Sequence, residues 1–375
     1  MDMEMSGMSN MDNAVNWPAH GGQATALLQH FGLPADHAFE DVSANLNPLG
    51  PPNWVAAWLA QRFDGLCRYP APDYLAARQA IAADNGVQPE QVLLTNGGAE
   101  AIFMAAALHA GGRALLLAPS FGEYARACSA HRLNMTEHVL HAPHFVCAVD
   151  DLLEKATNAD VVFLCRPNNP TGTLMSLDTI KALLAHTQTT ATQVVVDEAF
   201  IDLALGVDAL TPLMERYPQL ILLRSMTKFY TLPGLRLGYV LASESLITTM
   251  AAHQPPWSVN HLAAELVAPL LADRAFARQT QQWLACEQPR MSEALKAQGL
   301  DVVPSNSCFF LVRPDAAKRI RGMTSARLFE RLLRHGVLAR HTYRFPGLDG
   351  DWLRLALRDG PANNRLLKVL HDCLC

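Results

Sequence analysis

Gln193-Val194-Val195-Val196-Asp197-Glu198-Ala199-Phe200, followed twenty-odd residues later by Ile221-Leu222-Leu223-Arg224-Ser225-Met226-Thr227-Lys228, decides the fold. Each stretch is a short apolar run ending in charge: a carboxylate closes the first and a lysine the second. A continuous, β-branched-rich run of this length fits a strand buried on both faces, as in a parallel sheet. Ligands in such sheets sit beyond the carboxyl ends of the strands, so Asp197 and Lys228 stand where chemistry is expected.

Similar runs lie outward from this pair: QVLLT at 91–95, RALLLA at 113–118, DVVFLC at 160–165, QLILLRS at 219–225 and LRLGYVLA at 235–242. Helical spacing separates many of them, as in AEAIFMAAALHA at 99–110 and SLDTIKALLAHTQ at 176–188. Strand–helix alternation predicts an α/β fold with a mostly parallel sheet between helices. The last two runs are close in sequence, joined by a loop with Pro233 and Gly234, and suit a locally antiparallel edge. From Trp257 to about 299 the pattern is helical, as one bent helix or two. Residues 300–375 read as a smaller α+β unit with strands near 307–313 and 352–358. The expected organisation is a flexible tail at 1–16, an N-terminal segment at 17–60 packing on the small unit, a large domain at 61–265, a helical connector at 266–299 and the small domain at 300–375.

Half of the 375 residues are hydrophobic and 17% are charged, a balance suited to a deep core rather than disorder. A formal net charge of -5 without a basic run argues against a nucleic-acid surface. No apolar stretch reaches the ~18 residues of a membrane span. The acidic, Met-rich start lacks the pattern of a signal peptide. The eight cysteines are scattered without a CxxC pair, which suits free thiols and a reducing, cytoplasmic setting.

Lys228 follows a buried run, where desolvation favours the neutral amine needed to attack an aldehyde. Asp197 at a strand end needs a cation or several donors; a protonated pyridine nitrogen would serve, as would a helix cap. Asn169 sits in the turn Arg166-Pro167-Asn168-Asn169-Pro170-Thr171-Gly172. Gly97, Gly98 and Ala99 lie between a strand and a helix, where free N–H groups attract phosphate. Ser225, Thr227 and Arg236 add donors to such a site. Phe121 follows a strand and offers a ring face or an ordinary core side chain. No GxxxxGK[ST] motif supports nucleotide binding.

The ordered set PNNPTG (167–172), DEAF (197–200), SMTK (225–228) and RLGY (236–239) resembles the fold-type I pyridoxal-phosphate enzymes of the aspartate aminotransferase superfamily. Two branches compete: histidinol-phosphate aminotransferases and the L-threonine-O-3-phosphate decarboxylases of cobalamin synthesis. HGGQ (20–23), SANLNPLGPP (43–52), RYPAPDY (68–74), RSMTKFYTLPGLRLGY (224–239), PPWSVNHLA (255–263) and YRFPGLDGDWLRLALR (343–358) are closer to the decarboxylase branch. That resemblance implies a fold-type I architecture with a seven-stranded sheet and a smaller α+β domain. It implies pyridoxal 5'-phosphate as cofactor, with Lys228 as Schiff-base lysine, Asp197 at the pyridine nitrogen and Asn169 at the ring oxygen. Gly98, Ala99, Ser225 and Arg236 would hold the cofactor phosphate, and Phe121 would stack on the ring. Tyr69 resembles a tyrosine that reaches the neighbouring subunit's cofactor, which implies a homodimer with shared sites. Arg354 resembles the arginine gripping the substrate carboxylate; His20, Asn45 and Arg340 lie in segments resembling a substrate-phosphate site. The implied reaction is decarboxylation of L-threonine O-3-phosphate to (R)-1-amino-2-propanol O-2-phosphate and CO2, for the aminopropanol arm of adenosylcobalamin. Histidinol-phosphate transamination is the alternative, and a non-catalytic effector-sensing domain is a third reading. No metal is implied. Arg166 departs from the small or amide residue of relatives, and a surface salt bridge is its expected role. Ala99 departs as well, leaving only backbone donors at its position.

Overall fold

The computed structural model describes residues 17–374; the tail expected at 1–16 lies outside them. The strands in chain order are β1 (Glu40–Asp41), β2 (Val92–Thr95), β3 (Arg113–Ala118), β4 (Asn134–Val139), β5 (Val161–Cys165), β6 (Gln193–Asp197), β7 (Leu220–Ser225) and β8 (Gly238–Leu241). They continue with β9 (Leu300–Val302), β10 (Phe309–Pro314), β11 (Val337–Leu338), β12 (Arg340–His341) and β13 (Leu353–Ala356).

Seven of these strands form the large sheet, in the order β2-β8-β7-β6-β5-β3-β4. β3, β4, β5, β6 and β7 pair in parallel, and β8 runs antiparallel to both β2 and β7. The uniformly buried runs Val161–Cys165 and Leu220–Ser225 are covered on both faces, which is why they carry no polar alternation. The antiparallel element expected at the sheet edge lies inside it, and β2 takes the edge. The opposite edge, β4, is NMTEHV, mostly exposed and polar, so it lacks the apolar signature of its neighbours.

Antiparallel β8 matters for the site. Gly238 pairs with Thr95 on one side and Ser225 on the other. The beginning of β8 therefore meets the ends of β2 and β7, and Arg236 arrives at the edge where the other strands terminate.

The helical stretch after Trp257 is two helices, His261–Ala272 and Arg274–Ala297. Asp273 separates them, its carboxylate accepting from the Phe276 N–H at 2.9 Å as an N-cap. A second sheet, β12-β13-β10-β9, follows. β1 pairs in parallel with β11, Glu40 opposite Val337. Trp17 stacks on Tyr343 with centroids 4.4 Å apart and meets Phe329 edge-on at 5.5 Å. No described helix is long and apolar enough to cross a membrane, and the described cysteines are free.

Candidate active site

The ends of β2, β3, β5, β6 and β7 place the chemistry-bearing residues along one edge. Asp197 ends β6, and its carboxylate is held from two sides. Oδ2 accepts from the Tyr124 hydroxyl at 2.7 Å, and Oδ1 from the Ala199 N–H at 2.9 Å. Burial raises its pKa; the bonds from Tyr124 and Ala199 and the charge of Lys228 oppose the rise.

Lys228 lies in the short helix Met226–Phe229 that follows β7. Burial pushes its pKa from the ordinary 10.5 to about 8, helped by Arg354 and Arg236 and opposed by Asp197. It makes no salt bridge among the described residues. A lysine so placed holds a neutral-amine fraction near neutral pH, as a nucleophile requires.

Gly97 and Gly98 open the helix Gly97–Ala107, and Glu100 Oε2 accepts the Asn96 N–H at 2.7 Å just before it. Arg236 crosses directly over this start. A Cβ on Gly97 would lie 2.6 Å from Arg236 Nη2, and Gly97 has φ +77°. A Cβ on Gly238 would lie 2.8 Å from the Gly97 carbonyl carbon. The two glycines let an arginine, a helix N-terminus and a strand approach within contact, a cradle suited to an anion. Ser225 Oγ, hydrogen-bonded to Thr227 Oγ1 at 2.7 Å, stands beside it.

Asn169 is buried in the turn after β5. The Asn168 side chain braces that turn by donating to Thr171 Oγ1 at 2.8 Å and to the Pro119 carbonyl at 2.9 Å. Asn169 Oδ1 accepts from Arg354 Nη1, and Arg354 Nη2 donates to the Ser43 carbonyl at 2.6 Å. Phe121 meets Tyr124 edge-on at 6.0 Å and His20 at 6.0 Å. The His20 ring in turn lies 3.2 Å from Glu123 Oε1.

Arg340 and Arg354 are directly opposed in the β12–β13 pair. Arg340 is wrapped by carbonyl oxygens, donating to Pro18 and Ala19 at 2.7 Å each and to His20 at 3.3 Å. Neither arginine forms a salt bridge with a carboxylate among the described residues. Burial lowers the Arg340 pKa to about 10, and burial with Arg340 lowers that of Arg354 to about 9. Like charges face to face cost stability unless an anion joins them. Nearby polar atoms await partners too: both amide atoms of buried Asn45 and Arg354 Nε have none among the described residues.

Two expectations fare differently. Tyr69 is 77% exposed, and its ring rests on Trp257 at 4.6 Å, so the chain does not bring it to the residues around Lys228. Arg166 is no surface residue: it is 4% exposed and lies 3.7 Å from the buried Glu198. Tyr124 and Gly238 were not singled out from sequence. Tyr124 reads there as a core aromatic, and only its hydroxyl reaching a strand-end carboxylate reveals more.

The family model described as aminotransferase class I and II matches residues 40–370. The threonine-phosphate decarboxylase of Salmonella typhimurium is 35% identical over 359 residues, 95% of this chain and 96% of that protein. A histidinol-phosphate aminotransferase of Methanothermobacter thermautotrophicus is 30% identical over 374 residues, covering 97% and 96% of the two. The crystal structure of the histidinol-phosphate aminotransferase from Clostridium acetobutylicum superimposes with a TM-score of 0.83 at 25% identity, covering 89% of this chain and 98% of that one.

Pyridoxal 5'-phosphate is the cofactor of this chain. The residues fit it: a lysine with a depressed pKa, a buried carboxylate without a salt bridge among the described residues, and a glycine cradle crossed by an arginine. The chain belongs to the class I and II aminotransferase family, close to both its threonine-phosphate decarboxylases and its histidinol-phosphate aminotransferases.

Proposed function

We propose that this chain decarboxylates L-threonine O-3-phosphate. The carrying observation is the facing pair Arg340 and Arg354, two buried cations without a carboxylate partner among the described residues. A small substrate bearing both a carboxylate and a phosphate would supply the missing anions. The 35% identity to a threonine-phosphate decarboxylase along nearly the whole of both chains supports the same choice.

In this reading Lys228 holds the cofactor aldehyde, Asp197 its ring nitrogen and Asn169 its ring oxygen. Gly98, Ala99, Ser225 and Arg236 hold its phosphate, and Phe121 covers the ring. When bound, the cofactor supplies an aldehyde for the substrate amine and a ring that takes up electrons from the bond broken at Cα. The protein chooses the bond. Arg354 grips the substrate carboxylate and Arg340, with Asn45 and His20, its phosphate, so the two ends fix rotation about Cα. Asp197 keeps a proton at the ring nitrogen, and the Lys228 amine returns a proton to Cα after CO2 leaves. Tyr69 reaches a second copy's site in a homodimer.

Histidinol-phosphate aminotransfer is the second reading. It has the wider support among relatives, several of them 29% to 32% identical to this chain, and the structural superposition at TM-score 0.83. The same arginines would then serve the substrate phosphate and, in turn, the carboxylates of an amino-group acceptor.

Two assays on the cofactor-loaded protein separate them. Decarboxylation yields CO2 and aminopropanol phosphate from L-threonine phosphate. Glutamate formed from histidinol phosphate and 2-oxoglutarate, without CO2 from threonine phosphate, overturns it in favour of the aminotransferase.

A further inference from the structure

Arg166, Glu198 and Arg224 form a buried charge network on the ends of three adjacent strands, 4%, 1% and 4% exposed. Glu198 Oε2 lies 3.1 Å from Arg224 Nε, and Oε1 lies 3.7 Å from Arg166 Nη1. Oε1 also accepts the Leu210 N–H at 3.0 Å, and Arg166 Nη1 donates to the Asp208 carbonyl at 2.9 Å. Backbone bonds run in the same places. Arg166 N–H donates to Asp197 O, and Glu198 N–H to Leu223 O, each at 2.9 Å.

Each member adjoins a residue of the active edge. Arg166 precedes Asn169 by three residues in the same turn, Glu198 follows Asp197, and Arg224 precedes Ser225. Successive side chains along an extended strand point to opposite faces. Asp197 thus reaches Tyr124 while Glu198 reaches the two arginines on the other side. Two cations serve one buried carboxylate. Without Arg166, Glu198 keeps Arg224 and the Leu210 N–H, so the fold retains a paired carboxylate. What is lost is the side-chain tie from the Asn169 turn to Glu198, while the backbone bond from Arg166 N–H to Asp197 O remains.

We propose that Arg166 is a positioning residue, holding the Asn169 turn in register with Asp197 through Glu198. The proposal rests on the cofactor reading of this edge. Small displacements there are costly, because each ring contact depends on the placement of its own strand end.

The test is pyridoxal-phosphate affinity of the apoprotein, measured by fluorescence quenching, for wild type, Arg166→Met and Arg166→Lys. Melting temperatures of the three apoproteins are measured alongside. Arg166→Met is expected to bind about tenfold more weakly, and Arg166→Lys within about threefold of wild type. The pH midpoint of the visible absorbance of the cofactor on Lys228 is expected to shift in the Met variant and return in the Lys variant. A Met variant that melts lower yet binds with wild-type affinity and an unshifted midpoint makes Arg166 structural only and overturns the proposal. Should the Met variant not fold, Arg166→Gln is judged by the same criteria. Failure of wild type itself to bind the cofactor would instead remove the reading on which the proposal rests.

Discussion

Tyr124 donates its hydroxyl proton to Asp197 Oδ2 at 2.7 Å, with both groups buried. The tyrosine lies on the helix Glu123–Ala130 and the aspartate at the end of β6, so one bond crosses from helix to sheet. It offsets part of the cost of burying the carboxylate and, with the Ala199 N–H on Oδ1, fixes its orientation. A hydrogen bond to a charged group contributes about 1.5–3 kcal/mol. Tyr124→Phe is therefore expected to weaken cofactor binding roughly tenfold or more and to raise the Asp197 pKa further. The acid limb of kcat against pH is therefore expected to move to higher pH, with activity lost on the acid side. Unchanged cofactor affinity and an unchanged acid limb would show that the bond is idle.

Lys228 gives a pH prediction with a fixed sign. Its pKa falls from 10.5 unfolded to about 8 folded. Between those values the unfolded chain binds a proton that the folded chain does not, so apoprotein stability rises with pH across that window. Below about 8 the full cost of the buried charge is present, at most about 3 kcal/mol. Lys228→Met should make the apoprotein more stable at neutral pH, with the gain disappearing toward pH 10.5, and should abolish turnover. Denaturant titrations of both apoproteins at two pH values check it.

Gly97→Ala tests the cradle. The added methyl would sit 2.6 Å from Arg236 Nη2, at a φ of +77° that alanine resists. Arg236 must leave the helix start, and cofactor affinity is expected to fall by about tenfold or more, while the core packing around β2 stays intact. Equilibrium dialysis against pyridoxal phosphate reads the loss directly.

The proposed function divides substrate recognition between the facing Arg340 and Arg354. Truncating one partner of a buried charge pair costs about 2–5 kcal/mol. Arg340→Gln should therefore raise KM for a phosphorylated substrate by roughly 30-fold or more, and should narrow the preference for it over its unphosphorylated analogue. Arg354→Gln should affect both compounds alike, since each carries the carboxylate. Equal losses in the two variants for both substrates would contradict the division of roles.

Much of this edge was legible in sequence because parallel strands announce themselves as apolar runs and end together. Asp197, Lys228 and Asn169 each follow such a run, and the sheet topology collects them. What was not legible depends on distance between segments. Tyr124 reads as core until its hydroxyl is seen against Asp197. Arg166 reads as surface because arginine usually is, and its burial becomes intelligible only when Glu198 and Arg224 come beside it. β4 was missed because an exposed edge strand needs no apolar pattern. The reversal of β8 that delivers Arg236 is set by pairing rather than by local composition.

The exposed aromatic and aliphatic residues near Tyr69 lead to a last prediction. Phe63 is 66% exposed, Leu66 51%, Tyr69 77% and Trp257 47%, with the Tyr69 and Trp257 rings in contact. Large apolar side chains left in water favour association with another apolar surface. The homodimer reading assigns that surface to a second copy and gives the Tyr69 hydroxyl a task at the partner's cofactor phosphate. Two substitutions separate packing from contact. Leu66→Glu places a charge in the patch and should shift the chain toward monomer in analytical ultracentrifugation, with cofactor affinity falling as dimer is lost. Tyr69→Phe keeps the ring but not the hydroxyl, and should leave the dimer intact while weakening pyridoxal-phosphate binding by a few-fold, the loss of about one hydrogen bond. A chain that sediments as monomer at all concentrations, with Tyr69→Phe binding like wild type, would mean that each site is complete within one copy.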